Sequence, residues 1–392
     1  MRIGLDVNND HSISRSTAWH DRALIGLFAL LLLLPVLDVA LHIDPATPPS
    51  ENRLLATRPP APTASLAGLK VFFAGWETYF NDHFGCRKTL VTWQNKLKWA
   101  LFEEKNTRNV LMGDDGWFYA SEKRMVENFR GALPLTEPEL QAWQKLLERR
   151  RDWLAARGIK YLFVFAPDKQ TIYPEHLPAW LKNLGGRTKA DQFVAYMQSH
   201  STVEVLDLRP VLLAAKSATP IYFKTDTHWN KLGAFIACGA VVGKLAQAGL
   251  PGLVPLTTND FTLTPCLEPG GDLVNLRGIR IAMAESNAIV LAPKPALPEL
   301  SIFIPKGAHI MDEATANNPL GSGRALVHTD SFGRAWIPFL GYHFHETDFF
   351  WQYHLNGPVI EQRKPVVVIN EMLERFFNVA DPNELAAQDR LP

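Results

Sequence analysis

Residues 324–336, RALVHTDSFGRAW, begin as an apolar run of strand length, turn at Asp330-Ser331, and enter a helical pattern at Phe332-Gly333. A serine in the first turn of a helix lies beside backbone N–H groups that have no intrahelical partner, at the positive end of the macrodipole. Such N–H groups are what a tetrahedral oxyanion requires. A serine hydroxyl is nearly inert until a base takes its proton, so the stretch poses a question: where is the base? Residues 222–235, YFKTDTHWNKLGAF, supply one. His228 can titrate near neutral pH, and Asp226 stands two residues earlier on what reads as an extended segment, projecting to the same side. Taken singly, these are an N-capping serine and a histidine at a helix start. Taken together, Asp226, His228 and Ser331 form the three roles of a hydrolase-type triad.

The surrounding pattern predicts the frame that brings them together. IKYLFVF (159–165), VEVLDL (203–208), RALVHT (324–329) and PVVVIN (365–370) are short and mostly apolar, and helical stretches separate them. That alternation predicts an α/β fold, a parallel sheet with helices on both faces. In open sheets of this kind reacting groups gather outside the carboxyl ends of the strands. TEPELQAWQKLLERRRDWLAARG (136–158) opens with a capping box, Thr136 answered by Glu139, and buries Leu140, Trp143, Leu147 and Leu154. KLGAFIACGAVVGKLAQAG (231–249) reads as a long helix in which Cys238 fills the core.

Composition narrows the function. Lys+Arg and Asp+Glu balance at 40 each, which argues against a nucleic-acid partner. Cys86, Cys238 and Cys266 are too few for a disulfide framework, and their pairing stays open. GYHFHETDFFWQYH (341–354) carries His343, His345 and His354, but no acidic or cysteine partner at ligand spacing, so no metal is expected. Trp229 and Trp336 flank the triad motifs and read as core residues. Asp330 reads as the residue that orders the turn before the nucleophile.

Residues 23–37, ALIGLFALLLLLPVL, carry no charge, and the apolar segment continues to Ile43. Its length suits a transmembrane helix better than a cleaved leader. Arg2, Arg15 and Arg22 before it favour an inside N-terminus. The expected organisation is a cytoplasmic tail (1–22), an anchor (23–43), a Pro-rich linker (44–68) and one domain (69–392). An irregular, β-rich insertion is expected near 252–324.

These motifs resemble the SGNH hydrolase-like domain of the alginate O-acetyltransferases of the AlgJ/AlgX type. SENRLLATRPP, YFNDHFGCRKTL, GDDGWFY, APDKQTIYPEHLP, YFKTDTHWN, GGDLVNL and ALVHTDSFG carry the likeness. It implies a three-layer, circularly permuted SGNH hydrolase-like fold, with Ser331 as nucleophile, His228 as general base and Asp226 as its orienting partner. Lys169 and Tyr173 are expected to line the cleft. Gly333 and Asn370 are expected to serve the oxyanion, Asn370 as the last residue of its strand. The family reads G-D-S-F where this chain has Thr329, a β-carbon that could crowd the elbow.

The activity implied is acetyl transfer through a seryl acyl-enzyme to an exopolysaccharide such as alginate, without cofactor. A membrane-bound O-acyltransferase would supply the acetyl group, with the anchor in the inner membrane and the domain in the periplasm. A polysaccharide acetylesterase or deacetylase, or a non-catalytic polysaccharide-binding assembly protein, is the alternative.

Overall fold

In a computed structural model of the chain, the structure describes residues 15–41, 56–62, 65–87, 89–90, 93–94, 97, 109–181, 185–276, 283–305 and 312–391. Two compact units emerge, Met1–Glu103 and Glu104–Pro392. In the first, the helix Arg15–Leu41 contains a stretch, Trp19–Asp38, long and apolar enough to cross a membrane. A second helix, Leu66–His83, is capped by the Ser65 hydroxyl, which accepts from Gly68 N. It starts inside the Pro-rich stretch, much of which lies outside the described residues.

The strands of the second unit are, in chain order, β1 (Val110–Met112), β2 (Phe118–Ala120), β3 (Lys160–Ala166), β4 (Val205–Asp207), β5 (Phe261–Pro269), β6 (Ala284–Pro293), β7 (Ser301–Phe303), β8 (Glu313–Asn317), β9 (Arg324–Thr329), β10 (Glu346–Trp351) and β11 (Val367–Leu373). Seven of them form the central sheet in the order β4-β3-β11-β9-β10-β8-β7. The first five are mutually parallel, and β8 and β7 add an antiparallel margin. The expected mostly parallel α/β sheet is therefore present. β11, late in the chain, lies between β3 and β9.

Period-two alternation divides the core into two layers. Leu162, Val164, Val327 and Ile369 face one side with the helix Lys231–Gln247. Tyr161, Phe163, Phe165, Leu326 and Val368 face the other with Trp143, Leu147 and Leu154 of the helix Glu137–Ala155. The Thr136–Glu139 capping box forms as read, Cys238 is buried, and all three cysteines are free. Residues 252–324 are less separate than expected. β5 and β6 make a hairpin of their own, whereas β7 and β8 extend the main sheet. β7, at the edge, is exposed along its length, whereas β8 buries the small residues Ala314, Thr315 and Ala316, which make no apolar run.

One strand end was misjudged. The apolar run VVVI stops at Asn370, yet β11 continues through Glu371 and Met372 to Leu373. Polar side chains pair inside the fold there, so Asn370 sits in mid-strand opposite His328 and is fully buried. Its carbonyl oxygen accepts from Arg150 Nη1 at 2.7 Å, and Arg150 is held in turn by Asp389 at 2.9 Å. Asn370 belongs to that buried ion-pair network and not to an oxyanion site.

Candidate active site

β9 delivers Ser331 to the carboxyl edge of the sheet. The elbow is tied at several points. Asp330 Oδ1 accepts from Phe332 N at 2.8 Å, capping the short helix Ser331–Arg334. Its Oδ2 accepts from Tyr353 Oη at 2.5 Å and from Leu373 N at 3.1 Å. Asp330 thus orders the turn, as its position suggested. Beneath it, Glu371 Oε2 accepts from the Thr329 hydroxyl at 2.6 Å and from Asp330 N at 3.3 Å. Burial and the neighbouring Asp330 push the Glu371 carboxyl well above its ordinary range.

Thr329 therefore turns its hydroxyl down into the fold, not toward the oxyanion side. The glycine that this threonine requires is Gly333, where a β-carbon would fall 2.0 Å from Thr329 Oγ1 and 3.1 Å from Glu371 Oε2. Gly333 consequently packs beneath the elbow, and its backbone contributes to holding the Glu371 carboxylate. The oxyanion role expected of it does not fit this orientation.

The Asp226–His228 segment is not a sheet strand. Residues 221–230 form an irregular loop closed by one bridge, Tyr222 to Trp229, before Asn230 caps the helix Lys231–Gln247. Convergence comes from a local turn instead of extended geometry. Asp226 Oδ1 accepts from the backbone N of His228 at 2.9 Å and from its Nδ1 at 2.6 Å, an i to i+2 closure that short carboxylates favour. His228 Nε2 lies 2.7 Å from Ser331 Oγ. The imidazole remains 29% exposed and packs, tilted by 36°, against the Phe332 ring at 5.0 Å.

Electrostatics suit a base. Burial disfavours the charged imidazole, but the Asp226 carboxylate, its hydrogen bond and Asp272 outweigh it, and the His228 pKa stands above its ordinary value. Against the same burial, the imidazole and the Asp272 and His228 backbone N–H groups hold Asp226 well below the usual carboxylate range.

Lys169 and Tyr173 were expected to line the cleft; both lie behind this loop. Lys169 is 2% exposed and its ammonium donates to the carbonyls of Phe223, Lys224 and Asp226 at 3.0, 3.0 and 2.7 Å. Burial pulls its pKa down to about 7. Tyr173 Oη accepts from Ile221 N at 3.0 Å. Each polar end is taken up by backbone, so these residues shape the loop and touch no open surface of the site. Trp229 and Trp336 are core, 5.9 Å apart.

Sequence reasoning missed three groups. Thr225 donates through N and Oγ1 to Glu285 Oε2 at 2.7 and 2.6 Å. Asp272 takes both donors of Thr227. Arg375, after β11, lies 5.7 Å from the Phe332 ring and 3.4 Å from Asp168. GGDLVNL was noticed as a motif, but nothing in its spacing names Thr227 as the partner of its aspartate. Ligand atoms of Asp226, His228 and Asp272 lie within 4.8 Å of one another and could meet on a cation. Their hydrogen bonding is already used within the protein: His228 Nδ1 pairs with Asp226 Oδ1, and both Asp272 oxygens accept from Thr227.

A serine just beyond the end of a parallel strand, with an imidazole and a carboxylate from a neighbouring loop, has the arrangement of a hydrolase-type triad. Comparison with known proteins gives the fold its relatives. Residues 110–288 match the family model described as SGNH hydrolase-like domain, acetyltransferase AlgX, a span that includes Asp226, His228 and Asp272 and ends before Ser331. The resemblance read from the motifs is thereby met.

Among curated proteins, the chain is 29% identical over 176 residues to a probable alginate O-acetylase AlgJ of Pseudomonas syringae pv. tomato, covering 44% of this chain and 42% of that one. It is 28% identical over 163 residues to the Pseudomonas aeruginosa protein of the same name, covering 41% and 38%. The matches thus span less than half the length of these relatives. In fold, it resembles Bacillus cereus PatB1 solved with a sulfonyl adduct (TM-score 0.54, 17% identity, 70% of this chain and 97% of that one). A DHHW family protein from Eubacterium siraeum is similar to the same degree (TM-score 0.53, 17% identity, 73% and 97%).

Proposed function

We propose that this chain is an O-acetyltransferase acting on a secreted polysaccharide, alginate in the first instance, through a Ser331 acyl-enzyme. The observation that carries the reading is the continuous hydrogen-bonded line from Asp226 Oδ1 through His228 to Ser331 Oγ, with steps of 2.6 and 2.7 Å. The matches to alginate O-acetylases support the substrate class.

In the first half-reaction Ser331 Oγ attacks the acetyl carbonyl carbon while its proton passes to His228 Nε2, and the leaving group departs with that proton. In the second, a sugar hydroxyl gives its proton to Nε2 and attacks the acyl carbon, and Ser331 recovers the proton as the acetyl ester transfers. Asp226 holds the Nδ1–H tautomer and stabilises the imidazolium formed in between. The Ser331 N–H is the oxyanion donor of this reading.

The helix containing Trp19–Asp38 would anchor the chain in the inner membrane, with residues 69–392 as the periplasmic domain and 44–68 as spacer. A membrane-bound O-acyltransferase would deliver the acetyl group. Incubation of the protein with 4-nitrophenyl acetate, followed by mass spectrometry of the peptide containing Ser331, tests the chemistry. An acetyl mass on Ser331 that disappears when oligomannuronate is added, with acetylated sugar appearing, is the expected result. Acetyl release only to water would make the chain an esterase, and absence of any adduct in a folded protein would remove the reading.

A further inference from the structure

Behind the line of Asp226, His228 and Ser331 stands a second carboxylate that the triad does not use. Asp272, the first residue of the short helix Asp272–Leu276, comes from the excursion between β5 and β6. Its Oδ1 accepts from Thr227 N at 2.8 Å and its Oδ2 from Thr227 Oγ1 at 2.7 Å. Its backbone N donates to Asp226 Oδ2 at 2.9 Å. The preceding residue must be glycine, because a β-carbon at Gly271 would fall 2.2 Å from Asp226 Cβ.

Proton accounting gives this arrangement a direction. The single hydroxyl proton of Thr227 is engaged by Asp272 Oδ2, so the oxygen presents a lone pair on its other side. That oxygen lies 3.2 Å from His228 Nδ1. An Nδ1 that carries hydrogen finds two acceptors there, Asp226 at 2.6 Å and Thr227 behind it. An Nδ1 without hydrogen would face two oxygens with no donor between them. We infer that Asp272 is a positioning residue for the base, acting through Thr227 to fix the Nδ1–H tautomer of His228 and adding negative charge that favours the imidazolium.

The inference rests on the triad reading and adds to it. The charged groups facing His228 are Asp226 from its own loop, Asp272 from the excursion, and Arg375 from beyond β11; the first two raise its proton affinity and the third lowers it. Lys169, beneath the loop, faces the Asp226 carbonyl.

The test is kcat/KM for 4-nitrophenyl acetate against pH, with the full chain carrying Asp272→Asn, Thr227→Val or His228→Ala. An asparagine amide in place of Oδ2 donates to Thr227 Oγ1 and turns the hydroxyl proton toward Nδ1, against the working tautomer. Asp272→Asn is therefore expected to lower the plateau about tenfold, the scale of one charge-assisted hydrogen bond, and to move the acid limb to lower pH. Thr227→Val is expected to lower the plateau with a smaller movement of the limb, since the carboxylate charge stays. An acid limb that does not move in folded Asp272→Asn overturns the inference, whatever happens to the plateau. Should that variant not fold, an unchanged plateau in Thr227→Val overturns it equally. Retention of the native rate by His228→Ala would instead overturn the triad reading, so the two failures are distinguishable.

Discussion

Ser331 and His228, the proposed nucleophile and base, are held by different kinds of structure. Ser331 lies two residues beyond Thr329, the last residue of a strand that hydrogen-bonds to β10 and β11 on its two sides, so its position is set by ladder register. His228 sits on a loop with a single bridge, and side chains perform the task that a ladder performs elsewhere. Lys169 gathers three carbonyls from below, Glu285 takes Thr225, and Asp272 takes Thr227. A ladder distributes its bonds over many residues, and losing one side chain rarely displaces it. A loop held by a few buried polar groups fails when one of them goes, because its partners are then left unsatisfied.

The comparison breaks first at the chemistry itself. Ser331→Ala and His228→Ala are each expected to reduce acetyl transfer by at least about a thousandfold with melting temperature little changed, as measured by product mass spectrometry and calorimetry. Equal activity in either variant would dissolve the distinction, since there would be no shared site.

The next largest effect is expected at the loop. Lys169→Met strands three carbonyls in the core and should cost about 3 kcal/mol of stability, seen as a lower urea midpoint, together with a larger loss of rate than that of a core change of similar cost. On the elbow side, Gly333→Ala drives a methyl into Thr329 and should cost about 1–3 kcal/mol. Pairing it with Thr329→Gly should restore most of that loss, a coupling that a double-mutant cycle reads directly.

The smallest expected effect is a pH dependence. Because the His228 pKa is raised and the base must be neutral, kcat/KM should fall as pH drops through a midpoint above the ordinary histidine value of about 6.5. The sign for stability is opposite. The interaction with Asp226 contributes fully below the unfolded value and is lost as pH rises through the folded one.

How much of this was legible follows the same division. The strand and turn of RALVHTDSFG could be read because register, burial and the capping aspartate are consequences of neighbouring residues. Asp226 and His228 were found for a similar reason, two residues apart, although the mechanism of convergence is a local turn and not an extended strand. Asp272 and Glu285 stayed hidden because their partners are 45 and 60 positions away in the chain, and a carboxylate in a polar excursion looks like any solvated one. Asn370 misled because a polar residue after an apolar run resembles a strand end. Glu371 continues the strand only because Thr329 and Asp330 offer it donors.

The placing of β11 has a consequence for how the protein comes to exist. The segment synthesised after all other strands is the one that enters the middle of the sheet, between β3 and β9, and it brings Glu371, Leu373 and Arg375 to the elbow. Until it docks, β9 lacks one neighbour and the turn at Asp330 lacks two of its ties. The turn that carries Ser331 is therefore fully tied only once the sheet has received its final strand.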